Sequence, residues 1–406
     1  MKGPGSPRSP WLRLRASLRT LCAEPALPMP HAISRRAAVH RLSGAAAALA
    51  LPALAQERPL VLGQSAPTTG PAAQLGIQMH HGVKLYLDQF NAQGGLGGRP
   101  VELRLLDDGY EPERCKANTE QFIRDDVFGL VGYVGTPTTL AALPLVNQAR
   151  IPLFGPFTGA QALRDPLSKW VFHVRASYFD ETALIVRQLT GLGLTKIAVF
   201  RQNDSYGQAG LDGVLRALAA QGLEPLAVGT VERNSQDVAA AVKAIVPRQP
   251  HAVVQISAYK SCAAFVREAR KAGYGGTFYN VSFVGSQALA DELGKEGRGV
   301  MISQVMPHPF STTTGIARDY LEAVKRGGGG NPPNYSAMEG YVAARVLCEG
   351  LRRAGKAVTR EALVGALEGL QRLDLGGFSI GFSARNHAGS SFVELTMLTA
   401  DGKVRR

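Results

Sequence analysis

From Pro59 onward the chain alternates short β-branched runs with amphipathic stretches, and it runs through that alternation twice. Such a pattern specifies parallel sheets covered by helices on both faces, so it restricts the chain to an α/β architecture. In the first pass, strands are expected at 60–63, 101–106, 127–131, 151–154 and 171–174, with helices at 74–92, 112–124 and 138–148. The pattern restarts at 196–200. It continues through strands at 225–228, 252–256, 277–279 and 299–304, separated by helices such as 207–221, 236–245 and 261–272. Beyond Val305, helical patterns at 313–325, 337–354 and 360–367 are interrupted by the glycines of 327–330 and by Pro332 and Pro333. The tail, 378–382 and 392–399, reads as an antiparallel hairpin around residues 386–389. At 406 residues the chain has room for two doubly wound parallel-sheet lobes.

The formal charge of +13 would suggest a nucleic-acid partner, but its distribution argues otherwise. Eight basic residues and one acid, Glu24, fall in the first 55 positions, which leaves 37 basic and 31 acidic residues for 56–406. No basic run or aromatic–basic stripe remains there, so nucleic-acid binding is not expected. The N-terminal charge has a different explanation. Arg35 and Arg36 precede an apolar run from Leu42 to Leu54 that ends in Ala53-Leu54-Ala55, the layout of a secretory signal peptide over 29–55. That run falls short of the roughly 20 apolar residues that span a bilayer, so no membrane insertion is expected. Ser34-Arg35-Arg36 also suits the twin-arginine route, while Ala38 and Val39 replace the bulkier residues usual there; general and twin-arginine export both stay open. Residues 1–28 add nothing that a signal peptide needs, and they read as a misplaced gene start upstream of Met29.

Three cysteines remain after Gln56: Cys115, Cys262 and Cys348. Their spacing gives no disulfide framework and no metal pattern, so buried thiols are expected, although a single disulfide is chemically open. Gly94-Gly95-Leu96-Gly97-Gly98 lies between a helix and a strand and reads as a turn, not a phosphate cradle. Hydrolase and zinc motifs are missing, as are a Walker loop and a dinucleotide fingerprint. Asp107 and Asp108 end a strand, where adjacent side chains point to opposite faces, so a turn and cap role is expected.

What stands out is a set of strand-to-helix loops rich in hydroxyls and glycine: 65–70, 135–139, 155–160 and 203–207. Open α/β sheets bind ligands beyond the carboxyl ends of their strands, and unpaired N–H groups in a first helical turn attract a carboxylate. Each hydroxyl could equally serve only as a helix cap.

Gly63-Gln64-Ser65-Ala66-Pro67-Thr68-Thr69-Gly70-Pro71, Phe90 to Pro100, Asp107-Asp108, Val131-Gly132, Pro152 to Pro156, Asp204-Ser205-Tyr206-Gly207 and Phe265 to Gly273 occur in this order. Together they resemble the branched-chain amino-acid (leucine/isoleucine/valine) binding proteins, the periplasmic receptors of ABC importers. The resemblance implies a type I periplasmic binding protein: two lobes joined by three hinge crossovers, near 175–177, 305–309 and 371–376. The N-terminal lobe would take 56–176 and 307–372, and the C-terminal lobe 177–306 and 373–406. It also implies a periplasmic, monomeric, non-enzymatic protein that needs no cofactor, closes on a small-molecule ligand, and delivers it to ABC transporter permease and ATPase subunits. Carried onto this chain, the ligand site comprises Thr136, Phe157, Thr158 and Gly159 on the first lobe, and Tyr206, Tyr259, Ser282 and Phe283 on the second. Amino-acid binders carry an acid just past the strand before Ser282, to meet the ligand's ammonium group. Residues 280–285 hold none, so a small organic carboxylate is expected in place of a free amino acid. A free-standing periplasmic sensor and a true branched-chain amino-acid receptor are the alternatives.

Overall fold

The computed structural model describes residues 58–327 and 329–406. The expected signal peptide and upstream extension lie outside the described residues.

The first sheet forms where the first alternation predicts it. Its strands are β1 (Leu60–Ala66), β2 (Val101–Asp107), β3 (Gly129–Val131), β4 (Leu153–Phe154) and β5 (Val171–Phe172), all parallel, in the order β2-β1-β3-β4-β5. Helices α1 (Ala73–Ala92), α2 (Pro112–Arg124) and α3 (Thr136–Ala149) link them. The direction of winding reverses between β1 and β3, which opens a crevice at the carboxyl ends of these two strands.

After β5 the chain passes through Arg175 into α4 (Tyr178–Gly191), whose start is fixed by a reciprocal cap. The Ser177 hydroxyl accepts from the Asp180 amide at 3.2 Å, and the Asp180 carboxylate accepts from the Ser177 amide at 2.9 Å. The second sheet then assembles from β6 (Ile197–Gln202), β7 (Val228–Val231), β8 (Ala252–Ile256), β9 (Thr277–Asn280) and β10 (Met301–Gln304), with α5 (Ser205–Ala219), α6 (Ala239–Ile245), α7 (Tyr259–Lys271) and α8 (Ser286–Leu293). β7 begins three residues later than the sequence predicts, since Pro225 has no N–H for the ladder and pairing with β6 starts at Val199 and Val228.

Three helices follow: α9 (Gly315–Gly327), α10 (Tyr335–Ala354) and α11 (Arg360–Glu368). α10 packs along α1 at very short range, because Gly82 and Gly340 face each other's helix backbones. A Cβ on Gly82 would lie 1.8 Å from the Ala337 carbonyl oxygen, and one on Gly340 would lie 2.3 Å from that of Met79. Only glycine admits such an approach.

The C-terminal segment corrects two expectations. The hairpin of 378–382 with 392–399 does not form. β12 (Ser379–Ile380) instead pairs with β11 (Leu373–Asp374) across Gly376 and Gly377, both at positive φ, whose amides donate to the Asp374 carboxylate at 2.8 and 3.0 Å. Two adjacent glycines at positive φ favour a two-residue hairpin, and this nearer turn captures the strand. β13 (Glu394–Leu398) lies antiparallel between β10 and β14 (Val404–Arg405), which gives the second sheet the order β14-β13-β10-β9-β8-β6-β7. Residues 378–389, expected in the second lobe, pack against the first sheet. Phe382 meets Phe154 and Phe172 edge-on, and the His387 ring stacks on Phe172 at 3.8 Å. Phe382 thus joins the first core, and the segment from β13 returns to the second sheet.

Cys115, Cys262 and Cys348 are free and buried, with their thiols pushed up by burial. Among the described residues no helix is long and apolar enough to cross a membrane.

Candidate functional site

The carboxyl ends of both sheets face each other, and the loops beyond them meet in a buried cluster. Gly135 opens α3 at φ +103°, and a Cβ there would lie 2.3 Å from the Tyr110 ring, so glycine is required. The next residue, Thr136, has its hydroxyl 2.7 Å from that of Thr158. Phe157 is held by backbone bonds from its amide to Tyr133 O and from the Gly135 amide to its carbonyl, which continue the ladder beyond β3 and β4. Gly159 accepts from the Tyr178 amide at 2.8 Å; a side chain here would strike Tyr178.

The second lobe supplies aromatic rings. Phe283, in a single 3₁₀ turn after β9, lies 5.5 Å from Phe157, 4.6 Å from Tyr206 and 5.9 Å from Tyr110 by ring centroids. Tyr206 also meets Tyr178 at 5.5 Å, and its buried hydroxyl has no hydrogen-bond partner among the described residues. Seven of the eight expected site residues therefore converge: Thr136, Phe157, Thr158, Gly159, Tyr206, Ser282 and Phe283. Tyr259 stands apart at the start of α7, with its hydroxyl against the backbone of Gln74 in the first lobe.

Beneath these rings lies a charged group that the expected site does not contain. Arg175 is fully buried, with its guanidinium 4.8 Å from the Phe157 ring centroid. It donates to the Ser282 hydroxyl, and it pairs with Glu181 at 3.7 Å and with Glu339 at 3.6 Å. Burial opposes the Arg175 cation, but Glu339 and Glu181 outweigh that and hold its pKa above the ordinary guanidinium value. Glu181 is saturated with donors: the Ser282 amide at 2.7 Å, the Ser282 hydroxyl at 3.0 Å and the Ser303 hydroxyl at 2.6 Å. Glu339 is poorly satisfied. Its Oε1 has no hydrogen-bond partner among the described residues, and burial pushes its carboxyl up to about 7 against the pull of Arg175. A carboxylate thus does reach Ser282, from α4 and not from 280–285, and it is already occupied by the serines.

The hydroxyl-rich loops divide. In 65–70, Asp107 accepts from the amides of Thr68 and Thr69 at 2.7 and 3.2 Å, and from the Thr69 hydroxyl at 2.6 Å, so that loop is held by its own turn. In 203–207, Asp204 caps α5 by accepting from the Tyr206 and Gly207 amides at 3.0 and 3.3 Å. Loop 203–207 thus takes the cap role through Asp204, which sets Tyr206 in the cluster, whereas no side chain caps α1. Loops 135–139 and 155–160 bring the Thr136 and Thr158 hydroxyls together at the interface between lobes. Asp108 is buried and accepts from the Ser65 hydroxyl at 2.8 Å and from the Tyr110 amide at 2.9 Å. Among the described residues no group of three or more His, Cys, Asp or Glu could hold a metal ion.

At the rim the lobes are tied by polar contacts. Arg233 pairs with Glu111 at 2.9 Å, and Asn234 donates to Glu111 at 2.7 Å and to Gly109 O at 3.1 Å; beneath the rim, buried Gln202 donates to the Tyr110 hydroxyl at 3.2 Å. A partly open pocket of about 10 Å³ is bordered by Phe157, Ser282, Gln304, Ser336 and Glu339. That is room for about one water molecule, so any larger guest enters only when the lobes part.

The family model for periplasmic binding proteins matches residues 59–403. A possible leucine/isoleucine/valine-binding protein from Rhodopirellula baltica superposes with a TM-score of 0.82 at 33% identity, over 86% of this chain and 97% of that one. A substrate-binding periplasmic protein from Ralstonia solanacearum gives 0.81 at 31% identity, over 85% and 99%. The leucine-, isoleucine-, valine-, threonine- and alanine-binding protein of Pseudomonas aeruginosa is 21% identical over 292 residues, 72% of this chain and 77% of that protein. With two parallel-sheet lobes that meet over a shared cluster, the chain has the type I periplasmic binding fold and belongs to the periplasmic binding protein family, among its leucine/isoleucine/valine-binding type.

Proposed function

We propose that this protein is the solute-binding component of an ABC importer, which closes on a small organic carboxylate between its lobes and delivers it to permease and ATPase subunits. The observation that carries this reading is the cluster itself. Thr136 and Thr158 on one side, and Tyr206, Ser282 and Phe283 on the other, are buried where the two lobes meet. Residues 29–55 would export the chain by the general or twin-arginine route, and it would work in the periplasm as a monomer. Its action is binding and release, not turnover; closure trades lobe–lobe contacts for lobe–solute contacts, and the ligand acts through its differential affinity for the closed form.

A thermal-shift panel of aliphatic and aromatic carboxylates, amides and amino acids tests the reading. A solute at roughly 100 times its Kd should stabilise the fold by about 3 kcal/mol. If no member of the panel shifts the melting temperature, the proposal is wrong. A second reading, an amino-acid receptor, draws on the two carboxylates, Glu181 and Glu339, that the structure brings to the cluster. Leucine in the same panel separates the two.

The rim contacts make a further prediction. Glu111→Ala removes the acceptor shared by Arg233 and Asn234, partners that are all part-exposed, so the loss is about 1 kcal/mol or less. Because these contacts exist only between closed lobes, ligand affinity should fall by about three- to fivefold. The difference from wild type should shrink at 0.5 M salt, as read by titration calorimetry. An affinity loss that salt leaves unchanged would argue for a direct ligand role of Glu111.

A further inference from the structure

We infer that Glu339 carries a proton in the ligand-bound protein and shares it with the solute's carboxylate, so that Glu339 and Arg175 together recognise an organic acid and binding takes up one proton. The inference rests on the reading of the cluster as the solute site. It begins from atoms that lack partners. Glu339 is 2% exposed and borders the interlobe pocket, and its Oε1 accepts no hydrogen bond among the described residues. Across from it, Arg175 Nε and Nη1 are buried donors that also have no acceptor. The 3.6 Å between Nε and Oε1 exceeds ordinary hydrogen-bond reach of roughly 2.7–3.2 Å. Buried groups in this condition are exceptional, and here an unpartnered acceptor and an unpartnered donor face each other.

The charges around that location decide what fits. Those acting on Glu339 are Arg175 at the crossover, Glu181 from α4 and Arg164 from the loop after β4. The neighbouring Tyr335 hydroxyl is turned to Glu394, at 3.4 Å. Glu181 is committed to three donors from Ser282 and Ser303 and has little left to offer a solute. With both glutamates ionised, the two arginines and two glutamates sum to zero. An entering carboxylate would then leave one uncompensated negative charge beside Phe157 and Phe283, which is strongly disfavoured. A proton taken from solvent onto Glu339 cancels that charge. It also turns Glu339 from an acceptor into a donor, whose O–H meets the solute's oxygen while Arg175 Nε supplies a further N–H. An ammonium group placed on Glu339 would instead sit beside the Arg175 guanidinium and be repelled. Burial has already brought the Glu339 carboxyl to about 7, so the proton is available near neutrality.

The test is titration calorimetry of the purified full chain with 4-methylpentanoate, phenylacetate and leucine, at pH 6 to 9 in buffers of different ionisation enthalpy. The expected result is uptake that approaches one proton per acid bound above pH 7, with Kd weakening about tenfold per pH unit there and levelling off below pH 6. Glu339→Gln should abolish the proton uptake and flatten the pH dependence of Kd between pH 6 and 9. Glu339→Asp, which keeps a titratable carboxyl, should retain both. Acid binding without proton uptake in the wild type overturns the proton-sharing but leaves the solute site standing. Leucine binding that Glu339→Gln abolishes overturns it in favour of an ammonium on Glu339. If neither acid binds, the carboxylate reading fails and takes this inference with it.

Discussion

Replacing Arg175 with methionine is expected to cost about 3–5 kcal/mol of folding stability at pH 8, because it leaves Glu181 and Glu339 buried without their common cation. Methionine replaces much of the side-chain volume, so the loss should be chiefly electrostatic and should therefore depend on pH. Glu339 already has a folded-state pKa above its unfolded value of 4.5, and removal of Arg175 raises it further. A carboxyl raised in this way binds more protons folded than unfolded between the two pKa values, so stability falls as pH rises through that window. Below about pH 4.5 the group is protonated in both states and contributes nothing. The deficit of Arg175→Met should thus be largest near pH 8 and substantially smaller near pH 5, as read from urea midpoints. Adding Glu339→Gln should restore part of the loss at pH 8, and the double-mutant cycle gives the coupling. A deficit of equal size at both pH values would mean that packing against Phe157, and not charge, is the main role of Arg175.

The two lobes were legible because their evidence is periodic. Strand and helix alternate over most of the chain, and a buried parallel strand such as Ala252–Ile256 is apolar or uncharged at every position. The binding loops were legible for a related reason: ligand sites in such sheets lie at strand ends, and the hydroxyls of Thr136 and Thr158 stand there in the sequence. The charged centre was not. Arg175, Glu181 and Glu339 are separated by up to 164 positions and come from a crossover and two helices, so no local pattern unites them. One signal was present. Glu339 is the single charge between Tyr335 and Val342, in a helix whose residues 335–344 are all buried. A lone acid in such a stretch needs a buried cation or a proton to neutralise it, and Arg175 stands just where the first alternation ends. The tail misled because 378–382 and 392–399 suit a hairpin in isolation, whereas the two glycines at 376–377 make a shorter one.

Glu339 reaches the interface because α10 lies so near α1, which makes the neighbouring Gly340 the second sensitive position. Helix propensity alone predicts that Gly340→Ala should stabilise the chain by about 1 kcal/mol. The packing predicts the reverse. The added methyl would sit 2.3 Å from the Met79 carbonyl oxygen and 2.9 Å from the Val83 amide nitrogen. Both are backbone atoms of α1, which cannot rotate aside as a side chain could, so the helices must separate along an extensive contact. Overpacking of this kind costs about 1–3 kcal/mol net of the propensity gain, and the melting temperature should fall accordingly. Glu339 would move with α10, so any binding that depends on it should weaken more than the lost stability alone explains. Gly365→Ala is the control: its Cβ meets nothing within 4 Å, and it lies in α11, where propensity should prevail and stability should rise slightly. If Gly340→Ala behaves as Gly365→Ala does, the close approach of α1 and α10 is not what sets Glu339 in place.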